Sequence, residues 1–334
     1  MNALIAGDAR PRCDARNKLV RRARPLMGTL VGIAVRGDNT DQLETLIREM
    51  FAEMERLEAI LSEWRSDSAV SAANRAAGVA PIRMPVALAE VMEVAGDVSR
   101  ATQGAFDSSW AALSDLWTVD DPDFRPPSPE AIANARKLVN YRDVVIDAKA
   151  GTMYLRRCGM RLGLGGIAKA YIAEHAADFA VANGASHVLI DAGGDVVARG
   201  RNGDRRWTVG IRDPRVAARL LATVELHDET IVTSGDYEHF ANVEGQRYHH
   251  LIDPRTGAPA CESRSATVIA PGGALADALA TGLFVLGARG LDVVRRFAGV
   301  AALLIDSDGA AHLSAHGATR FRLHPSCSTA IPRA

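Results

Sequence analysis

The stretch Gly163-Leu164-Gly165-Gly166-Ile167-Ala168-Lys169 lies between a predicted β-hairpin and a predicted amphipathic helix, and this arrangement decides the fold class. Residues 143–148 and 152–157 are predicted to form the hairpin, and apolar residues recur along the helix as far as Gly184. A dinucleotide-binding βαβ unit would need a parallel strand in place of this hairpin. The sequence therefore favours an α+β fold, with mostly antiparallel sheets and packed helices, over a repeated βαβ fold.

The glycine-rich stretch matches two phosphate-binding motifs only in part. Gly163, Gly165 and Ala168 fit the weak dinucleotide fingerprint, but Asp191 lies somewhat beyond the spacing expected for its acidic residue. The P-loop pattern lacks its second glycine and its hydroxyl residue. The two motifs share a physical basis, because glycines let the backbone approach a phosphate and the start of a helix offers unpaired N–H groups. The stretch predicts either a pyrophosphate site, completed by Lys169, or a tight structural turn.

Asp277 and Thr281 are four residues apart on a helix predicted over residues 275–286, so both side chains project from one helix face. Carboxylate, hydroxyl and carbonyl oxygens suit Mg²⁺, which prefers few protein ligands. The same spacing is common between ordinary helix neighbours. The pair alone predicts either a magnesium site or a simple side-chain contact.

Two adjacent histidines, His249 and His250, precede a predicted Pro-Arg-Thr-Gly turn. Histidine is the side chain best suited to move protons near neutral pH, although one beside a strand is often structural. Neighbouring residues of a strand point to opposite faces, so we expect only one of the two to meet a ligand. The segments 105–107 and 233–237 are expected to be either ligand contacts or turns.

Composition excludes several classes of function. The chain has 39 Lys plus Arg against 40 Asp plus Glu, a net charge of −1, and 5% aromatic residues, which argues against nucleic-acid and anionic-membrane binding. Its four cysteines are far apart, so we expect reduced thiols rather than a zinc site or disulfides. No secretory signal or apolar run near about 20 residues is evident. The sequence predicts a cytoplasmic protein without a membrane anchor, and a periplasmic location is less favoured.

One domain is predicted over residues 25–314, with a disordered arm over residues 1–24 and a loose tail over residues 315–334. No internal repeat is evident. A loop is predicted over residues 119–129. The remaining predicted helices cover residues 41–64 and 85–102, and the remaining predicted strands cover residues 28–35, 187–192, 206–211, 221–226, 264–270 and 300–305.

Six segments, in this order, resemble the ApbE family of FAD:protein FMN transferases over roughly residues 24–310. They are Arg24-Pro25-Leu26-Met27-Gly28-Thr29, Gly104-Ala105-Phe106-Asp107, Leu164-Gly165-Gly166-Ile167-Ala168-Lys169, Thr233-Ser234-Gly235-Asp236-Tyr237, His250-Leu251-Ile252-Asp253-Pro254-Arg255-Thr256-Gly257 and Ala276-Asp277-Ala278-Leu279-Ala280-Thr281. No single motif is decisive, but the ordered set is specific.

The resemblance implies an α+β fold of the tunnelling-fold type and a reaction that uses FAD with Mg²⁺. FMN would pass from FAD to a Thr or Ser hydroxyl of an unidentified target flavoprotein, and AMP would be released. The alternatives are an FAD pyrophosphatase, a non-catalytic FAD-binding protein and, less favoured, a nicotinamide-dependent oxidoreductase. Formation of a homodimer stays open.

The resemblance also assigns roles to individual residues. His250 would be the base. The metal would be held by Asp277, Thr281 and the main-chain carbonyls of Gly166 and Ala280. The FAD site would be lined by Met27, Trp64, Ala105, Phe106, Asp107, Gly163, Lys169 and Leu251. Trp64 stands where the family often has tyrosine, which preserves stacking.

Three positions depart from the family's pattern. Gly163 stands where an Asp is usual, Ala170 where a Gly is usual, and Glu174 where another Asp is usual. One neutral hydrogen bond contributes about 0.5–1.5 kcal/mol, so we expect the missing Asp to weaken FAD binding about tenfold. Gly163→Asp is then expected to bind FAD more tightly, unless Gly163 has a positive φ.

Overall fold

The computed structural model describes residues 17–216 and 218–324 of the 334-residue chain. Within these ranges the helices are α1 (Thr40–Leu61), α2 (Ala69–Ala76), α3 (Val86–Ala101), α4 (Pro129–Arg136), α5 (Ala168–Ala182), α6 (Gly273–Leu286), α7 (Gly290–Val294) and α8 (Gly317–Arg320). Short 3₁₀ segments cover Ala111–Leu116, Tyr141–Asp143 and Gly287–Arg289.

The strands in the same ranges are mostly short. They are β1 (Lys18–Leu26), β2 (Thr29–Gly37), β3 (Ile82–Arg83), β4 (Val144–Asp147), β5 (Thr152–Leu155), β6 (His187–Ala192), β7 (Asp195–Arg199), β8 (Trp207–Arg212), β9 (Leu220–Leu226), β10 (Glu229–Gly235), β11 (Phe240–Val243), β12 (Gln246–His249), β13 (Ile252–Asp253), β14 (Ala258–Pro259), β15 (Ser263–Ala270), β16 (Ala301–Asp306), β17 (Ala311–Leu313) and β18 (Arg322–Leu323).

An eight-stranded sheet forms the centre of the molecule, in the order β1-β2-β6-β7-β10-β15-β16-β17, and each neighbouring pair is antiparallel. Its side chains alternate between two cores. Val188 and Ile190 join the core that includes α1, α3, α5 and α6, whereas Leu189 joins the core shared with β8 and β9. The strands β18, β9 and β8 form a second sheet on that other face. The protein therefore has three layers: helices, central sheet and small sheet.

A third, smaller core packs the segment after α3 against the histidine-bearing hairpin β11–β12. Trp117 and Phe124 are buried there, and Trp117 stacks on Tyr248 with ring centroids 6.1 Å apart. The Trp117 indole N–H also donates to the carbonyl of Gly257, at 2.9 Å. This core fixes the direction in which the chain leaves β12, and hence the position of His250.

The mixed fold with mostly antiparallel sheets is confirmed. The buried stripe predicted for residues 41–64 appears in α1, which begins after Asn39, whose side chain accepts hydrogen bonds from the Asp41 and Gln42 N–H groups. The predicted hairpin over residues 143–157 is β4 paired with β5, and the strand predicted over residues 187–192 is β6. The glycine at position 104 follows α3 with a φ of +83°.

Each of the two predicted terminal segments contains regular secondary structure within its described part. The predicted arm over residues 1–24 is wrong from Lys18 onward, because β1 pairs along its whole length with β2. The predicted loose tail is wrong over Gly317–Leu323, where α8 is followed by β18 on the small sheet. Residues 1–16 and 325–334 lie outside the described part of the chain.

Two expectations for interior segments also change. Only the last two residues of the segment 233–237 lie in a turn, because its first three residues end the central strand β10. The segment Gly273–Val294, which contains α6 and α7, is 22 residues long with a mean hydropathy of 1.4, so an apolar stretch of spanning length does exist. It is 67% buried inside the protein, and core helices of soluble proteins commonly meet the same criterion.

Candidate functional site

The glycine-rich stretch is a loop whose first N–H groups already have partners. Gly163 N–H donates to the carbonyl of Ser108 at 2.9 Å, and the N–H groups of Leu164 and Gly165 donate to the carboxylate of Glu63. Glu63 is largely buried, which raises its pKa, while the two backbone donors oppose the rise. The prediction of a pyrophosphate site made by bare N–H groups is therefore wrong for these three residues.

The helices α5 and α6 meet at the end of this loop and bring the predicted metal ligands together. A Cβ on Gly166 would lie 2.9 Å from Thr281 Oγ1, so the loop backbone directly faces that hydroxyl. The Asp277 carboxylate accepts a hydrogen bond from the N–H of Ala170. Ala280 is fully buried beside them. The close contact depends on small residues, since a Cβ on Gly273 would lie 2.2 Å from the Ala170 carbonyl oxygen.

Asp277 fits a hard cation. Its side chain is 2% exposed, and its Oδ2 has no hydrogen-bond partner within residues 17–216 and 218–324. A buried carboxylate oxygen without a partner is costly, and a bound Mg²⁺ would relieve that cost. The Thr281 hydroxyl and the Gly166 backbone adjoin it, and Ser234 Oγ of β10 lies 3.4 Å from Thr281 Oγ1. The described residues hold no cluster of three or more His, Cys, Asp or Glu, so any cation here relies on neutral oxygens as well.

Lys169 lies in the electrostatic environment of Asp277 but is hydrogen-bonded to a different carboxylate, that of Asp195. Its Nζ lies 2.6 Å from Oδ2 of Asp195, whose side chain is 3% exposed, while 34% of the Lys169 side chain remains accessible. Burial lowers the pKa of Lys169, but the charges of Asp195 and Asp277 outweigh it and raise this pKa overall. Burial raises the pKa of Asp195 too, against the opposing effect of Lys169. The ammonium group is therefore fixed in its charged form.

The pKa of Asp277 is raised to about 8, chiefly by burial and then by the negative charge of Asp195. Between the ordinary Asp pKa of 3.8 and this raised value, the folded protein holds a proton that the unfolded chain has lost. We therefore expect the metal-free protein to lose stability as pH rises from 5 to 8, by at most about 1.4 kcal/mol per pH unit. Melting temperatures in EDTA would measure this slope. Asp277→Asn should flatten it, and an equal slope in that variant would contradict the assignment.

The two histidines differ clearly in their surroundings. His249 is 5% exposed, and its Nε2 lies 2.9 Å from the Ala260 carbonyl while its Nδ1 accepts from the Leu251 N–H. Its ring also packs edge-on against Phe284 of α6, at 5.6 Å. Both ring nitrogens of His249 are thus engaged inside the protein. The structure gives this residue a role in holding the chain after β12 against α6.

His250 presents one nitrogen to a backbone acceptor. Its Nδ1 lies 3.2 Å from the carbonyl oxygen of His239, so Nδ1 carries the proton and Nε2 has a free lone pair. Burial lowers the pKa of His250 to about 4, partly offset by this hydrogen bond. The charge of Lys169 contributes to the lowering, which places the two groups in one electrostatic environment. A neutral ring with Nε2 free can accept a proton.

The residues predicted to line the FAD site fall into two groups. One group is a buried turn made of Ala105, Phe106 and Asp107. Phe106 packs near α6, since a Cβ added to Gly282 would lie 3.4 Å from the Phe106 Cβ. The Asp107 carboxylate accepts hydrogen bonds from the N–H and hydroxyl of Ser109 and from the Tyr141 N–H, at 2.7–2.8 Å. Its carboxylate therefore holds this turn together.

The second group is partly or largely exposed to solvent. Met27 has a φ of +52° in the turn between β1 and β2, and Leu251 is half-buried directly after His250. Trp64 is 82% exposed, which is unusual for so large an apolar side chain. It follows Glu63, so the same carboxylate that binds the glycine loop also fixes the chain next to Trp64.

Gly163 has no free space for a side chain, although its φ is not positive. A Cβ there would lie 2.6 Å from Trp110 Nε1 and 2.9 Å from the Ala111 Cβ. The structure therefore changes the expectation for Gly163→Asp: the backbone would accept an Asp, but the Trp110 indole occupies its place.

We expect Gly163→Asp to destabilise the protein by about 1–3 kcal/mol through overpacking, rather than to improve FAD binding. Thermal unfolding would measure the loss. Gly163→Ala against Gly165→Ala is a matched pair, because a Cβ on Gly165 meets nothing within 4 Å. Adding Trp110→Val to Gly163→Asp should recover part of the stability. An unchanged melting temperature for Gly163→Asp would show that Trp110 moves aside freely.

Sequence reasoning missed three residues of this site, Glu63, Trp110 and Asp195. The sequence does carry a signal for Asp195, because Gly193-Gly194-Asp195 directly follows the residues of β6 and is typical of a turn. The other departures from the family pattern have structural roles: Ala170 is fully buried between α5 and α6, and Glu174 accepts the Gly273 N–H at 2.7 Å and pairs with Arg199 at 3.0 Å.

Comparisons with known proteins identify the family of the chain. The model of the ApbE family matches residues 27–304. The chain belongs to the ApbE family. The FAD:protein FMN transferase of Treponema pallidum is 35% identical over 327 residues, covering 92% of this chain and 90% of that protein. The crystal structure of the ApbE protein from Thermotoga maritima has a TM-score of 0.83 at 30% identity, over 91% of this chain and 99% of that one. The flavinyl transferase ApbE of Pseudomonas stutzeri, in its apo form, has a TM-score of 0.76 at 30% identity, over 87% and 92%.

Proposed function

We propose that the protein transfers the FMN part of FAD to a Thr or Ser hydroxyl of a target flavoprotein and releases AMP. The observation that supports it most directly is the buried Asp277 Oδ2, which has no hydrogen-bond partner among the described residues and lies on one helix with Thr281, close to the Gly166 backbone and within the electrostatic reach of Lys169. Phosphoryl transfer needs positive charge at a fixed place, and this arrangement can supply it. We also propose that the three-layer architecture is of the tunnelling-fold type, which its antiparallel central sheet with helices on one face supports.

Asp277, Thr281 and the carbonyls of Gly166 and Ala280 would hold Mg²⁺. A bound Mg²⁺ supplies charge stabilisation to the pyrophosphate oxygens. Lys169 would add a second positive charge, and the accessible third of its side chain leaves room for contact with a phosphate oxygen. The exposed Trp64 would stack on a ring of FAD. Apolar surface would come from Met27, Ala105, Phe106 and Leu251.

In the transfer step the acceptor hydroxyl oxygen would attack the phosphorus of the FMN portion of FAD. The bond from that phosphorus to the bridging oxygen would break, and AMP would leave with that oxygen. His250 Nε2 would take the hydroxyl proton, which its Nδ1 hydrogen bond orients it to do. The negative charge of the bound pyrophosphate would raise the His250 pKa from about 4 toward the working pH.

The test is incubation of the protein with FAD, Mg²⁺ and a candidate acceptor flavoprotein. We expect AMP release together with a mass increase of one FMN on the acceptor. AMP and free FMN without acceptor modification would instead indicate an FAD pyrophosphatase, and FAD binding without AMP would indicate a non-catalytic binder. The oxidoreductase alternative is not supported, because β5 and β6, the strands on either side of α5, lie in different, antiparallel sheets.

A further inference from the structure

Asp195 is a buried carboxylate to which the proposed reaction gives no role. It is the first residue of β7 and follows the Gly193-Gly194 turn, where φ is +70° and +103°. Its side chain is 3% exposed, and its Oδ2 lies 2.6 Å from Lys169 Nζ. The turn before it packs tightly, because a Cβ on Gly193 would lie 2.5 Å from Thr29 Oγ1. The carboxylate therefore has little freedom to move.

Lys169 lies within the electrostatic reach of three carboxylates, Asp195, Asp277 and, more weakly, Glu238, and its hydrogen bond goes to Asp195. Asp195 accepts its hydrogen bond, whereas Asp277 Oδ2 has no partner in the described ranges. Lys169 and Asp277 belong to neighbouring helices that touch through Ala170, and after Asp195 it is Asp277 that acts most strongly on the Lys169 charge, so an ammonium group released from Asp195 is drawn toward Asp277. An unpaired ammonium beside a buried carboxylate would form an ion pair there. Such a pair would occupy the oxygen that a cation needs.

We propose that Asp195 is a positioning residue that holds the Lys169 ammonium away from Asp277 and so keeps Asp277 Oδ2 free for a divalent cation. This inference rests on the metal site of the proposed function. The charges support it: once Asp277 has lost its proton, Asp195, Asp277 and Lys169 together carry a net charge of −1, which favours a divalent cation. Without Asp195, Lys169 and Asp277 would form a neutral ion pair with each other.

The experiment measures Mn²⁺ binding to the full-length protein without FAD, by electron paramagnetic resonance of free Mn²⁺. We expect Asp195→Asn to weaken Mn²⁺ binding by about tenfold, within the range of coupling between neighbouring charged groups. Asp195→Glu, which keeps a carboxylate for Lys169, should restore most of the affinity. Glu229→Gln is the matched control, since Glu229 pairs with Arg320 at 2.6 Å and lies opposite Ala198, toward the other end of β7. That control should bind Mn²⁺ like the wild type.

A double-mutant cycle with Lys169→Met separates the proposed role from direct metal ligation. If Asp195 acts through Lys169, Asp195→Asn should have little further effect on Mn²⁺ affinity in the Lys169→Met background. An equal tenfold loss in both backgrounds would overturn the proposal and make Asp195 a metal ligand. Unchanged affinity in Asp195→Asn alone would also overturn it. If Asp195→Asn alone does not fold, the Mn²⁺ affinity of the double variant, which contains no unpaired ammonium, can still be compared with that of Lys169→Met.

Failure of the underlying metal site has a different signature. In that case Asp277→Asn would bind Mn²⁺ as the wild type does, and the proposed function would lose its support together with this inference. If Asp277→Asn loses Mn²⁺ binding and Asp195→Asn does not, the metal site stands and only the role of Asp195 is refuted.

Discussion

We expect Asp277→Asn to lower AMP release and FMN transfer by about 10²–10³-fold while the protein remains folded. This is the size of loss found when one preorganised group that stabilises transition-state charge is removed. Asp277 is the carboxylate among the proposed metal ligands, and a hydroxyl with backbone carbonyls alone would compete poorly with water for Mg²⁺. The measurement is AMP release from FAD at saturating Mg²⁺, with Glu229→Gln as a control for loss of a remote carboxylate.

The same variant separates a metal role from a structural one. Oδ2 of Asp277 is buried and has no hydrogen-bond partner in the described part of the chain. Replacing this carboxyl group, which is costly to ionise, by an amide should keep or raise the melting temperature of the metal-free protein, most clearly near pH 8. Mg²⁺ should stabilise the wild type by mass action and should stabilise Asp277→Asn far less. Near-normal turnover in Asp277→Asn, or an equal Mg²⁺-induced shift in both proteins, would refute the metal assignment.

The parts of the fold that the sequence predicted have strong local signals. α1 carries eight buried residues at three- and four-residue spacing, and that stripe is visible without any knowledge of its partners. β1 was missed because it is an edge strand whose side chains are mostly exposed, with Val20 as its buried member. An arginine-rich edge strand shows no alternation between apolar and polar residues. It resembles a disordered arm until β2 pairs with it.

The site residues also divide into those with a local sequence signal and those without one. Asp277 and Thr281 could be paired from sequence because one helix turn fixes their geometry. Glu63 contacts Leu164 at a sequence separation of 101 residues, and Lys169 contacts Asp195 at a separation of 26. No local sequence pattern predicts contacts of this kind. The contact between Trp110 and Gly163 is also long-range in the sequence. For this reason the sequence suggested that the space beside Gly163 was free for an Asp side chain, whereas the Trp110 indole fills it.

The second large effect concerns His250, for which we expect His250→Ala to keep FAD binding and to reduce transfer by about 10²–10⁴-fold, the usual range for lost acid–base help. His250 can accept a proton at Nε2 because its Nδ1–H donates to the His239 carbonyl. His250→Gln keeps a polar side chain of similar length without a basic nitrogen, so it should be as slow as the alanine variant. Single-turnover transfer from FAD, measured beside an FAD binding titration, separates the proton step from binding.

His249→Ala provides the opposite pattern. His249 is 5% exposed and both its nitrogens are hydrogen-bonded inside the protein, so its removal should lower stability by about 1–3 kcal/mol through the groups it leaves unpaired. Because His250 follows it directly, some loss of rate is also expected, but it should appear together with a lower melting temperature.

The pKa of His250, lowered to about 4, means that its ring is neutral from about pH 5 upward in the free enzyme. The kcat/KM of transfer reports the free enzyme, so it should fall on the acid side only as pH drops toward 4, and His250→Ala should lose that limb. A His249 variant that is stable but slower than His250→Ala would reverse the assignment of the base.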